Sequence, residues 1–216
     1  MQLASYIDHT LLKFNASQSD FSKLCDEALK YHFACVCVPP SVVKYLRNTY
    51  TDELKIASVV GFSLGYGHTV SKIEESKQLI EEGVQELDFV INFHWLNSGL
   101  FEKTKEEIAN FIEICRKHNI LSKIIIESGS LKNDVEDVIC DMINELKPDF
   151  LKTSTGMLLP EYQVKAEEIA RLRSKLDTQI SIKASGGVRS KAQAISLIEA
   201  GATRLGTSSS LQLIAL

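Results

Sequence analysis

No run of apolar residues in this chain approaches the roughly 20 that a helix needs to cross a bilayer, although 44% of its 216 residues are hydrophobic. The opening stretch, Met1 to Phe14, mixes Asp8, His9 and Lys13 with apolar side chains and lacks the basic start and long apolar core of a secretion signal. An excess of one charge is missing too. Lys and Arg number 24 against 28 Asp and Glu, a net charge of −4, and neither sign gathers into a block. This argues against nucleic acid or an anionic membrane as the main partner. Cysteines are few and odd in number (Cys25, Cys35, Cys37, Cys115, Cys140), and none form a CxxC. That pattern does not suit a disulfide framework and fits a reduced, cytoplasmic protein. Cys35 and Cys37 alternate on a strand-like run and read as small core residues. With only four prolines, no Gly-rich linker and no shift of composition, residues 1–216 read as a single domain.

What the chain does have is alternation. Short runs rich in β-branched residues recur at Tyr6–Leu11, Ala34–Val38, Ile56–Phe62, Glu86–Asn92, Lys123–Glu127, Phe150–Thr155, Ile180–Ser185 and Thr203–Thr207. Between them lie stretches of helical periodicity, near Ser19–Tyr31, Ser41–Thr49, Val70–Glu82, Glu102–His118, Asp134–Lys147, Glu161–Leu176 and Lys191–Ala200, with a short last piece at Ser209–Leu216. Strict alternation predicts an α/β fold with a parallel sheet, and eight units predict a single closed (β/α)₈ TIM barrel. An open doubly wound sheet fits less well, because no GxGxxG or GxxxxGK[ST] follows the first strands.

Alternate residues of a barrel strand face the helices and the axis, and the helix-facing set should be apolar. That test points Lys183 inward from Ile180–Ser185, Asp88 inward from Glu86–Asn92 and Lys152 inward from Phe150–Thr155. In Lys123–Glu127 the two parities are less distinct, and Glu127 is read as facing in. Converging charges could form a salt-bridge network that merely fills the interior. A second inward lysine beside the first is harder to explain that way. A lysine must be neutral to attack a carbonyl, and a nearby cation with partial desolvation favours that state, while a nearby Asp can move protons. After the seventh and eighth strands come Ser185-Gly186-Gly187-Val188-Arg189 and Gly206-Thr207-Ser208-Ser209-Ser210, and Thr155-Gly156 follows the sixth. Jointly these loops suit a phosphate.

The segments Ile7–Lys13 (IDHTLLK), Gly61–Gly65 (GFSLG), Glu86–Asn92 (ELDFVIN), Lys123–Ser128 (KIIIES), Asp149–Gly156 (DFLKTSTG), Ile182–Arg189 (IKASGGVR) and Ala200–Ser209 (AGATRLGTSS) make the chain resemble the deoxyribose-phosphate aldolases, class I enzymes that work through a lysine Schiff base. The resemblance runs from residue 7 to residue 209. It implies that Lys152 forms the imine, Lys183 perturbs it, and Asp88 is the acid/base partner. It also implies phosphate contacts from Gly156, Gly186, Gly187, Arg189, Gly206, Ser208 and Ser209, with Asp8 and Thr10 near the substrate end. The implied reaction is reversible cleavage of 2-deoxy-D-ribose 5-phosphate to acetaldehyde and D-glyceraldehyde 3-phosphate, in deoxyribose phosphate catabolism. No cofactor or metal is called for, and the partners are the small phosphorylated sugar and acetaldehyde, with a homodimer as one assembly and the surface near Trp95 as one candidate face.

Several positions depart from the family pattern: Ser63 for a proline, His94-Trp95 for small residues, Met157 after KTSTG, Ser210 for a glycine, and an end at Leu216 without a C-terminal tyrosine. His9, His68 and His118 lack ligand-like spacing, and His32 reads as a helix-end residue. Two rival readings are a sugar-phosphate isomerase or synthase using acid/base chemistry alone, and a catalytically silent barrel kept as an assembly partner.

Overall fold

The β-branched runs form strands in the computed structural model, which describes residues 3–50 and 52–215. The eight strands are β1 (Ile7–Thr10), β2 (Cys35–Val38), β3 (Ile56–Val60), β4 (Glu86–Val90), β5 (Leu121–Ile125), β6 (Phe150–Lys152), β7 (Ser181–Ser185) and β8 (Arg204–Thr207). All neighbours pair in parallel in chain order, and β8 closes on β1 through Ile7↔Leu205, Asp8↔Gly206 and His9↔Thr207. This is the (β/α)₈ barrel that the alternation predicts.

Helices wrap the outside: α1 (Gln18–Tyr31), α2 (Val43–Thr49), α3 (Thr69–Glu81), α4 (Phe93–Asn97), α5 (Phe101–His118), α6 (Asn133–Leu146), α7 (Ala166–Lys175), α8 (Lys191–Glu199) and α9 (Ser210–Ile214). Their apolar stripes meet the outward strand residues Val36, Ile56, Leu87, Phe89, Ile124, Leu151, Ile182 and Leu205, all 0% exposed, in one continuous shell. Each such side chain contributes roughly 1.5–3 kcal/mol by leaving water, so the shell holds the strands in place against the cost of what they point inward. Helix ends carry local stops. The α1 C-cap is His32, in the left-handed region at φ 57°, and α5 ends on Asn119 at φ 56°. None of the helices described is long and apolar enough to cross a membrane.

The barrel interior is divided. On β2 and β3 it is small and apolar, with Cys35, Cys37, Ala57 and Val59 in one cluster against which Leu12 and Phe62 pack. On the other strands it is polar and charged.

Several boundaries differ from expectation in ways that matter. Strands β3, β4 and β6 stop at Val60, Val90 and Lys152, two or three residues early, and the freed residues become loops over one end of the barrel. Between β4 and α5 the chain makes the extra helix α4, its Trp95 N–H capped by the Asn92 side chain at 3.3 Å. The helix expected from Glu161 starts at Ala166, because residues 161–165 are held against the loop after β7, with Val164 N–H donating to the Gly186 carbonyl at 3.0 Å. The last helix ends at Ile214, and Leu216 lies outside the described residues.

Candidate active site

Parallel register sets the ionisable side chains side by side. Asp88 pairs in register with Lys123, Lys152 with Lys183, and Lys183 with Arg204, while Asp8 lies opposite Gly206. All these positions share the inward parity, so seven charged groups converge: Asp8, Glu86, Asp88, Lys123, Lys152, Lys183 and Arg204. Asp88 is the hub. Its Oδ2 accepts from Lys152 Nζ and Lys183 Nζ, both at 2.7 Å, and its Oδ1 from Lys123 Nζ at 2.8 Å. Lys123 also meets Glu86 at 2.6 Å, and Lys183 also pairs with Asp8. Arg204 lies 2.6 Å from Asp8 and 3.2 Å from Glu86, with its guanidinium over the Phe150 ring.

Taking these charges out of water is costly, and only close partners offset it. Here the partners win. Burial alone would raise the Asp88 carboxyl, yet the three lysines hold it well below the usual carboxylate range. Burial likewise opposes the charge on Asp8, and Lys183, Lys123 and Arg204 reverse the effect and hold it low. Burial pushes Lys123 and Lys183 down, and the carboxylates around them carry both above the ordinary lysine value. The set holds four cations and three carboxylates. Lys152 differs from its fellows in two ways: among the described residues Asp88 is the one carboxylate it pairs with, and it is 3% exposed where Lys123 and Lys183 are 0%.

Lys152 forms the floor of a cleft of about 250 Å³ at the C-terminal end of the strands, the end where barrels of this kind carry chemistry. Its walls come from the loops after β1, β6, β7 and β8. Thr10, Gly156, Gly186, Gly187, Arg189, Gly206, Ser208 and Ser209, all expected at the substrate, line it together. Lys13 adds a further cation, and no carboxylate is among the lining residues. Asp8, Asp88 and Lys183 do not line it; they lie below Lys152 in the charge network. Gly206 is required to be small, since a Cβ there would stand 3.1 Å from Lys183 Cε and 2.9 Å from Ser185 Cβ.

The loops are fixed by their own hydrogen bonds. Glu127, expected to face in, sits at φ 51° two residues past the end of β5 and accepts from Ser154 Oγ at 2.6 Å and Thr155 N at 2.9 Å. It therefore clamps the Lys152 loop and stays apart from the Asp88 cluster. Thr207 ties the last two loops, donating to the Val188 carbonyl at 2.7 Å and accepting from Ser209 N at 2.9 Å.

Among the departures, Met157 lines the cleft. His94 and Trp95 instead border a separate hollow with Tyr66, and Ser210 bonds the buried His9 at 2.8 Å. Asp8, Cys35 and Glu86 come close enough together to suggest a metal trio, but the Arg204 guanidinium already contacts all three.

Sequence reasoning missed Lys123, Glu86 and Arg204. The signal was present for Lys123, which shares parity with Glu127, and for Glu86, which shares parity with Asp88. Arg204 shares parity with Gly206 on β8.

Comparison with known proteins agrees with this fold. Residues 2–211 match the family model described as DeoC/LacD family aldolase. A deoxyribose-phosphate aldolase of Caldicellulosiruptor saccharolyticus is 43% identical over 99% of this chain and 97% of its own length, and one of Clostridium botulinum is 42% identical over 99% and 100%. Among solved structures, an aldolase called QR15 superposes with a TM-score of 0.91 at 32% identity, covering 98% of this chain and 93% of its own. The tetrameric deoxyribose phosphate aldolase of Aeropyrum pernix gives 0.90 at 29%, covering 98% and 88%.

Proposed function

The chain belongs to the DeoC/LacD family of aldolases, and we propose that it cleaves 2-deoxy-D-ribose 5-phosphate reversibly to acetaldehyde and D-glyceraldehyde 3-phosphate through an imine on Lys152. The observation that carries this reading is that, of the three lysines gathered on Asp88, Lys152 alone lines the cleft.

Neutral Lys152 attacks C1 of the open-chain sugar. The N–C bond forms, the carbonyl oxygen is protonated and leaves as water, and a protonated imine remains. The C3 hydroxyl then gives up its proton, C3 becomes a carbonyl and the C2–C3 bond breaks, its electron pair passing through C2 to the iminium nitrogen. The bond must be C2–C3, because acetaldehyde takes two carbons. Glyceraldehyde 3-phosphate departs, the enamine is protonated at C2, and water hydrolyses the imine to acetaldehyde and free Lys152. Asp88, held anionic, accepts rather than donates in the resting site and serves as the acid/base partner through water. Lys183, fixed by Asp8 and Asp88, keeps a second positive charge beside the nucleophile. The backbone and hydroxyls of Gly156, Gly186, Gly187, Gly206, Ser208 and Ser209 receive the phosphate, with Arg189 supplying charge. Asp8 acts from beneath and Thr10 from the cleft wall.

The same reading takes residues 1–216 as one aldolase domain, places it in the cytoplasm in deoxyribose phosphate catabolism, and keeps a homodimer as its assembly. Borohydride added with acetaldehyde should leave a two-carbon adduct on Lys152, read by peptide mass, and a coupled assay should register glyceraldehyde 3-phosphate. Unmodified protein would end the imine reading. A Lys152→Arg variant that kept its activity would point to acid/base chemistry alone.

A further inference from the structure

Between the loops that follow β5 and β7 stands an aromatic side chain to which the catalytic reading gives no part. Tyr162 lies in the non-helical segment before α7, and its ring covers the faces of two glycines. A Cβ built on Gly129 would fall 2.4 Å from the ring, and one on Gly186 would fall 2.6 Å from it. Neither position admits a side chain while the ring is there. The main chain of the same segment continues the contact: the Tyr162 carbonyl oxygen is 2.7 Å from a Cβ built on Gly187, and Val164 N–H donates to the Gly186 carbonyl at 3.0 Å. The phenol is anchored as well. It donates to Glu168 Oε1 at 2.6 Å, and the same oxygen accepts the Ser128 hydroxyl at 2.5 Å.

Gly186 and Gly187 line the cleft and have φ of 102° and 66°, conformations that glycine adopts freely and that no side chain of their own can fix. What packs behind them must fix them instead. We propose that Tyr162 is the positioning residue of this turn: its ring, wedged between Gly129 and Gly186 and pinned by Glu168, holds Gly186–Gly187 where their backbone meets the substrate's phosphate. The proposal rests on the aldolase reading above for the identity of that anion. It assigns Tyr162 to phosphate recognition and leaves the imine chemistry at Lys152 to other groups.

The test uses the full chain with Tyr162→Phe, Tyr162→Ala, Gly129→Ala and the double variant Gly129→Ala/Tyr162→Ala. Displacing the turn removes binding that ground and transition states share, so Tyr162→Ala should raise KM for the deoxysugar phosphate about 10- to 100-fold with kcat within about 3-fold. Inhibition by inorganic phosphate should weaken in parallel, while turnover of unphosphorylated 2-deoxyribose should barely move. Tyr162→Phe keeps the ring and should restore KM to within about 2-fold. Gly129→Ala, which pushes on the ring, should raise KM alone but add nothing to Tyr162→Ala, a coupling that direct contact predicts. If Tyr162→Ala does not fold, Gly129→Ala and Tyr162→Phe carry the test. An unchanged phosphate KM in Tyr162→Ala, or equal losses on phosphorylated and unphosphorylated sugars, would overturn the proposal. Should the wild type fail to trap acetaldehyde, the aldolase reading falls, and calorimetric binding of inorganic phosphate to wild type and Tyr162→Ala still decides the tyrosine's role.

Discussion

Two buried lysine–carboxylate sites lie on opposite faces of β4, and they handle charge in opposite ways. Outside the barrel, Lys72 on α3 meets Glu107 on α5 at 2.9 Å and the Val90 carbonyl at 3.0 Å, with its ammonium over the Phe89 ring. Glu107 also accepts from Asn92 N and the Thr69 hydroxyl. Lys72 has Glu107 as its one ion-pair partner among the described residues, with Glu75 acting from farther off, and there burial prevails: it pushes Lys72 down and Glu107 up, each toward its neutral form. Inside the barrel, Asp88 faces three lysines and the partners prevail over burial. An isolated buried pair does little more than break even against desolvation, so it serves as a clasp joining helices to the C-terminal end of β4. A cluster with an extra cation next to a cleft fixes its inner charges and presents one lysine to the cleft. The difference in partner number separates a structural site from a chemical one.

The sharpest way to break this comparison is to alter each lysine. Lys152→Arg keeps the charge and removes the primary amine; it should abolish borohydride trapping and lower kcat by at least about 10⁴-fold, the scale on which removal of a covalent nucleophile acts. Lys72→Met should leave kcat per folded molecule within about 3-fold, since the clasp touches no reacting atom. A steady-state assay on both variants, with circular dichroism to count folded protein, decides the matter. Comparable losses of kcat in both would erase the distinction.

Stability should reverse the ranking. Glu107→Gln leaves Lys72 buried without its anion and should cost about 3 kcal/mol, read as a lower urea midpoint at unchanged m. Lys72→Met/Glu107→Gln removes the orphaned charge and should recover at least half of that loss. A double variant as unstable as the single would show that the pair's worth lies in its hydrogen bonds to Asn92 and Val90.

How much of this was legible beforehand depended on how sharply each strand separates its two faces. β4 and β7 alternate apolar with polar, so Asp88 and Lys183 could be placed from spacing alone. β5 does not. Its run Ile124-Ile125-Ile126 is apolar at both parities because a parallel strand is covered on both sides, and Lys123 at its foot went unread although Glu127 had already fixed the phase. Arg204 and Glu86 begin their strands, where boundaries are least certain. Helix α4 is too short to carry a period. Pro160-Glu161 looks like a helix start, yet contacts of residues 162–164 with Gly186 and Gly187 keep that segment out of the helix, a tertiary effect that local propensity does not encode.

The smallest effect should appear in the pH dependence of stability, and it probes the cluster directly. Asp8 and Asp88 titrate below their ordinary 3.8 in the folded chain, so the unfolded chain takes up their protons first. The stability they confer is complete above that value and is lost as pH falls through the folded pKa values. Lys123 and Lys183 titrate above 10.5, so their contribution is complete below 10.5 and is lost as pH rises beyond it. Between these limits these four groups add no slope of their own. In urea titrations from pH 5 down to pH 2, Asp88→Asn should therefore show a shallower acid decline than wild type, by up to about 1.4 kcal/mol per pH unit, the equivalent of one proton. Lys72→Met/Glu107→Gln should not share that flattening, because Glu107 shifts upward from 4.5 and its contribution has the opposite sign, declining as pH rises through that region. An acid limb that stays as steep in Asp88→Asn would mean that the three lysines do not hold this carboxylate in its charged form, and the contrast between the two sites would rest on geometry alone.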